Sequence, residues 1–213
     1  MNKSLRERIA AAATAAALTA LTACGSTEPH TPPTQPSAPA DQAGFGYAQI
    51  RKAVKDSTAR FTVTSPDFRD GEALPADTWA GTFGCTGANR QVDLTWTGAP
   101  QGTRSYAITM FDPDAPTGSG FWHWVVRDIP SDRTSTETAF TSGAITGTSD
   151  AGQPGYLGPC PPNGDLQHRY EFTVHALDVP TLELPASASP AVTSFTMSSH
   201  VIGYARITGT ARR

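Results

Sequence analysis

Three runs, SYAITMF (Ser105–Phe111), WHWVVRDI (Trp122–Ile129) and YEFTVHAL (Tyr170–Leu177), constrain the fold more than any other feature of the chain. In the third, Tyr170, Phe172, Val174 and Ala176 alternate with Glu171, Thr173 and His175, the period of two that a half-buried strand requires. The other two are apolar on both faces and belong in the middle of a sheet. Shorter strands are expected in FTVTS from Phe61 and VDLTW from Val92, with YARITG near the end of the sequence. Turn-forming stretches rich in proline and glycine separate them, among them SPDFRDGEALP, TGAPQG, DAPTGSG and GPCPPNGD. One helix is expected, in SPAVTSFTMSSHV, with Ser189 as its cap and Pro190 in its first turn. Many strands, long loops and little helix predict a mainly β fold, an antiparallel sandwich or open barrel with peripheral helices.

The amino terminus has a different character. A basic start, Met1 to Arg8, precedes a small and apolar run from Ile9 to Ala20 and then Leu21-Thr22-Ala23-Cys24. That order is an export signal, and Leu-Thr-Ala-Cys fits a lipobox, so residues 1–23 are expected to be cleaved and Cys24 to carry the lipid anchor. Palmitate is the acyl group such a cysteine typically takes. Residues 24–44, rich in Pro, Ser and Thr, read as a disordered tether, and 45–59 as a short helix or linker. From residue 60 to 213 the length suits one compact domain.

Cleavage would remove Lys3, Arg6, Arg8 and Glu7, a net of +2, taking the formal charge from -3 to -5. A mildly acidic chain without a lysine or arginine cluster is no nucleic-acid binder. With Cys24 lipidated, Cys85 and Cys160 remain as an even pair, open to a disulfide or to two buried thiols.

The chemistry-bearing residues gather in two stretches. In FDPDAPTGSGFWHW, Pro113 and Pro116 stiffen the turn that carries Asp112 and Asp114, and Ala115-Pro116 is a candidate cis bond. Strand alternation would set His123 on the face opposite Trp122 and Trp124. In YLGPCPPNGDLQHRYEF, a second stiffened loop delivers His168 to a strand start with Tyr170 on the same face. Two aspartates, two histidines and a tyrosine suit a small ligand of mixed charge. A zinc or iron site would use the same residue types, but no close His-x-His or His-x-x-x-His pair is present. Ser119 lacks the Gly-x-Ser-x-Gly elbow of a serine hydrolase. His175, on the outward face, and His200 are expected to be structural or solvated.

MFDPDAPTGSGFWHWVV and GPCPPNGDLQHRYEFTVHAL, flanked by FGCTGAN and GYARITGT, closely resemble the phosphatidylethanolamine-binding protein family, which includes the Raf kinase inhibitor proteins, and in particular its bacterial YbhB/YbcL branch. The resemblance covers Phe61 to Thr210. It implies a large antiparallel sheet with a second, smaller sheet and a few peripheral helices, and a small anion pocket at one end. Carried over by motif, the ligand-binding residues are Asp112, Asp114, His123, Pro162, His168 and Tyr170, with Trp122, Gly158 and Cys160 lining the pocket. No metal, cofactor or catalytic residue is implied. The expected function is an exported, membrane-anchored lipoprotein that binds a small phosphorylated anion or phospholipid head group. A protein-interaction or inhibitor module acting on an exported partner is the alternative, and a phosphoester or ester hydrolase with a histidine base a further one.

Overall fold

The structure is a computed structural model and describes Val54 and residues 57–140 and 143–213. The export signal, Cys24, the tether and most of the 45–59 segment lie outside the described residues. All described residues belong to one compact unit.

In chain order the elements are β1 (Ala59–Arg60), β2 (Thr62–Thr64), a 3-10 turn (Ala76–Thr78), β3 (Thr95–Thr97), β4 (Ser105–Asp112), β5 (Phe121–Pro130), α1 (Thr136–Ala139), β6 (Ile145–Thr146), β7 (His168–Leu177), α2 (Pro190–Met197) and β8 (Val201–Ala211). Six strands form one sheet in the order β1-β8-β7-β4-β5-β6, and β2 pairs with β3 in a second, smaller sheet. The large sheet is antiparallel except at one edge, where β1 runs parallel to β8. Both edges are two-residue strands, which leaves little unpaired backbone to template association. The two runs apolar on both faces are β4, at the centre, and β5 beside it.

One face of the large sheet carries Ile108, Met110, Trp124, Phe172 and Val174 and packs under the small sheet, whose Val63 and Trp96 join the same core. The other face carries Ala107 and Leu177 and is closed by Leu182 and by Met197 of α2. Ser189 caps α2 as expected, its side chain accepting from the Val192 amide, with Pro190 in the first turn. The buried Arg127–Asp128 pair anchors the covering segment: the guanidinium donates to the carbonyls of Leu184 and Pro185, and Asp128 accepts from the Leu182 amide.

Three local expectations change. No peptide bond among the described residues is cis, so Ala115-Pro116 is trans; the chain reverses through Gly118 and Gly120, at φ 81° and 73°. VDLTW contributes only its end to β3, while Val92 and Leu94 plug into the core from a loop. Of the two roles expected for His175, structural or solvated, it takes the structural one, but on a face that is buried rather than outward. It is 5% exposed, its Nε2 lies 3.1 Å from Thr109 Oγ1, and its Nδ1 has no partner. The second face of β7 is buried because α2 and the loop before it cover that side of the sheet, which periodicity within β7 cannot reveal.

Burial pushes the His175 imidazole down from the ordinary 6.5 to about 3, with the Arg206 charge adding to the effect. The unfolded chain therefore takes up a proton that the folded one refuses, and stability falls as pH drops from 6.5 toward 3. Replacing His175 with Gln is expected to reduce the pH slope of the unfolding free energy by about 1.4 kcal/mol per pH unit between roughly pH 4 and 6. Chemical denaturation across that range measures it, and an unchanged slope would contradict the buried, neutral assignment.

Candidate functional site

Asp112 ends β4 and is 2% exposed. Its two oxygens do different things. Oδ1 accepts from the Asp114 amide at 2.8 Å and closes the turn, while Oδ2 meets His168 Nδ1 at 2.7 Å across to the start of β7. The second ring nitrogen of His168 meets Asp165 Oδ2 at 3.2 Å. Burial works against a charged His168, but the hydrogen bond and charge of Asp112, joined by Asp165, outweigh it and hold the pKa above the ordinary 6.5. With both nitrogens engaged, His168 has no N–H free for a ligand in this arrangement.

Asp114 faces away from the pocket. Its carboxylate accepts from the Arg169 backbone amide at 2.9 Å and from the Arg169 guanidinium through Nε at 2.8 Å and Nη2 at 2.6 Å. It clamps the β4 turn to β7 rather than lining the cavity.

His123 sits where β4 and β5 slip register. Met110 pairs with Trp124 and Phe111 with Trp122, so His123 is the extra residue of a bulge. Alternation breaks there, and the face assignment drawn from it is corrected. His123 and Trp124 both turn to the core and pocket side, while Trp122 packs in a tilted contact with Phe111 on the other side, with centroids 4.5 Å apart. The His123 ring lies 4.8 Å from Phe121 and edge-on to Tyr170 at 5.2 Å. Its Nδ1 donates to the Leu157 carbonyl at 3.0 Å. Burial lowers its pKa to about 4, against the opposing pull of Asp112.

Tyr170 is fully buried, and its hydroxyl has no hydrogen-bond partner of good geometry. Burial, then the nearby Asp112 charge and a weak hydrogen-bonding contact with that carboxylate, push its pKa up and keep the hydroxyl neutral.

These side chains surround a pocket of about 380 Å³ that also takes in Gly158, Cys160 and Pro162. One wall is the Leu157–Cys160 segment. It lies so close to Thr78–Ala80 that a Cβ on Gly158 would come within 2.1 Å of the Thr78 carbonyl oxygen. The Ala80 amide donates to the Pro159 carbonyl at 3.0 Å, and the Gly158 amide to Asn89 Oδ1 at 2.8 Å. A disulfide joins Cys85 to Cys160, with Cα atoms 5.9 Å apart. Closing a 75-residue separation, it stabilises the fold by about 4 kcal/mol on chain-entropy grounds. Asp112, His123 and His168 do not converge as metal ligands: among the described residues no three His, Cys, Asp or Glu side chains could share an ion.

Phe83, Phe121 and Arg213 also line the pocket, and none is singled out by the motifs. Phe83 is 67% exposed at φ 56° on the loop that the disulfide holds. Arg213 follows β8, and nothing in its sequence neighbourhood marks it. Asp165 was legible in principle, since it stands three residues before His168 within the second stretch.

A family model described as phosphatidylethanolamine-binding protein matches residues 64–212. The protein YbcL of Escherichia coli is 40% identical over 158 residues, covering 70% of this chain and 86% of YbcL. Its crystal structure superposes with a TM-score of 0.69, covering 73% of this chain and 99% of that one at 39% identity. YbhB of the same organism is 41% identical, over 68% of this chain and 95% of YbhB. LppC of Mycobacterium tuberculosis, which carries a lipoprotein's name, is 37% identical over 70% of this chain and 71% of its own.

Asp112→Asn tests the pairing at the base of the pocket. With Asp165 as its remaining carboxylate, His168 is expected to titrate at lower pH in NMR spectra of its ring. The unfolding free energy at neutral pH should drop by about 3 kcal/mol, because a buried charge loses its nearer partner. A His168 titration that does not move would show that Asp165 alone sets it.

Proposed function

Because the chain belongs to the phosphatidylethanolamine-binding protein family, we propose that its folded domain is a binding module for a small phosphorylated anion, free or as a lipid head group. The observation that carries this reading is the buried Tyr170 hydroxyl, which makes no hydrogen bond of good geometry although Asp112, already matched by His168, stands near it. Such a donor is stabilised by an acceptor oxygen brought from outside. Apolar walls at Phe121, Leu157 and Pro162 exclude water and strengthen any charge-assisted bond made between them. Asp112 acts through His168: the two are matched to each other, which keeps the carboxylate charge from facing an incoming anion unopposed.

Binding of inorganic phosphate to the full chain in detergent, followed by calorimetry and by the His123 ring signals, is the test. Tyr170→Phe should weaken it about 10-fold, the worth of one hydrogen bond to a charged group. Phosphate that leaves heat and imidazole signals unmoved would overturn the reading.

The module works from a membrane surface. The Leu21-Thr22-Ala23-Cys24 lipobox and the lipoprotein name of LppC support an anchor at Cys24 on the extracytoplasmic face. Among the described residues no helix is long and apolar enough to cross a membrane. Cys24→Ala should abolish palmitate labelling and release the protein from the membrane fraction. Retention of both would place the anchor elsewhere.

A further inference from the structure

Two groups in the pocket keep hydrogen-bonding capacity that the fold does not use, and they call for opposite partners. The first is Nε2 of His123. A carbonyl oxygen can only accept, so the contact with Leu157 fixes the ring proton on Nδ1. No carboxylate hydrogen-bonds the ring, which is 6% exposed, so it stays neutral and Nε2 presents a lone pair. Among the described residues the ring makes one hydrogen bond of good geometry, at Nδ1, with the Gly158 backbone also acting on it. An ionised oxygen placed against Nε2 is repelled, whereas an O–H is welcomed.

The second is the guanidinium of Arg213. Its Nη1 donates to the Gly84 carbonyl at 2.7 Å and lies 3.2 Å from Cys85 Sγ. Its own carbonyl accepts from the Gly164 amide at 2.9 Å, which pins the residue beside the pocket. Its Nε is buried without a partner, and no Asp or Glu side chain forms an ion pair with it among the described residues. A permanent cation whose guanidinium meets no acidic side chain is an anchor for an ionised oxygen.

The charged and titratable groups facing His123 are Asp112 from β4, His168 and Tyr170 from β7, and Arg213 after β8. The first two are spent on each other. Tyr170 and Arg213 remain as donors, and Nε2 as the acceptor. The complementary ligand carries ionised oxygens and one hydroxyl on a single small centre.

Resting on the reading that the pocket takes a phosphorylated anion, we infer that it selects phosphomonoesters over phosphodiesters, Arg213 holding an ionised oxygen while Nε2 of His123 accepts the hydrogen of a P–OH. A diester has no hydrogen to offer Nε2. A monoester enters as its monoanion, or as the dianion with one proton taken up from solution, so the complex contains one proton shared between a phosphate oxygen and Nε2. Affinity therefore falls as pH rises past the second phosphate ionisation near about 6. The exposed ring of Phe83 and the half-buried ring of Phe121 at the mouth leave room for an apolar substituent.

The test uses the full chain in detergent with phenyl phosphate, methyl phenyl phosphate and glycerophosphoethanolamine, the last standing for the diester lipid head group. Calorimetry in buffers of different ionisation enthalpy counts protons. Phenyl phosphate is expected to bind at least 10-fold more tightly than either diester, with proton uptake rising toward one above the phosphate pKa. Arg213→Gln should weaken phenyl phosphate at least 10-fold, and His123→Gln, whose amide can donate, should narrow the gap between the two phenyl esters. Equal binding of monoester and diesters by the unaltered chain would overturn the inference and leave the anion pocket standing. Binding of none of the three, nor of inorganic phosphate, would overturn both. Discrimination that survives His123→Gln would remove His123 from its cause.

Discussion

The Asp112 carboxylate joins the two halves of the pocket. One oxygen closes the turn after β4, and the other meets the imidazole that begins β7, so a single side chain sets the turn's shape and the spacing of two central strands. Asp114 repeats the device on the other side by clamping Arg169 through backbone and guanidinium. A buried ion pair adds little net stability when compared with apolar residues of the same volume, since desolvation offsets attraction. Its value here is geometric: two loops remote in sequence can meet in only one register.

That arrangement gives two histidines of one pocket opposite characters. His168 lies between two carboxylates, which favour its charged form and raise its pKa. His123, a strand bulge away, is enclosed by Phe121, Tyr170 and a backbone carbonyl and stays neutral. Neither behaviour belongs to the residue type. Each follows from what the local backbone places within hydrogen-bond reach.

Much of the architecture was legible in the sequence because strand alternation and capping are local. β4, β5, β7, β8 and the Ser189 cap could all be read from neighbouring residues. What stayed hidden depends on contacts between distant segments. The bulge that turns His123 to the side of Trp124 arises from pairing with β4 and leaves no mark within WHWVVRDI. The burial of His175 depends on α2 and the loop before it, on the other side of the sheet. Both aspartates of the DPDAP turn looked alike, yet only Asp112 faces the pocket, because Arg169 captures Asp114. Arg213 sits in no motif and reaches the pocket only because β8 runs beside β7.

The Cys85–Cys160 bond also changes the topology of the chain. It closes a covalent ring that contains β3 through β6, with Asp112, His123 and Leu157 inside it, while His168, Tyr170 and Arg213 belong to the tail beyond. Along the backbone Asp112 and His168 are 56 residues apart, but through the crosslink the path is well short of that. Threading β7 against β4 is then a search over a shorter loop, with less entropy to lose before the first contact forms. An oxidised chain that unfolds keeps the two halves of its pocket on a short leash; a reduced one must find them again from the full distance.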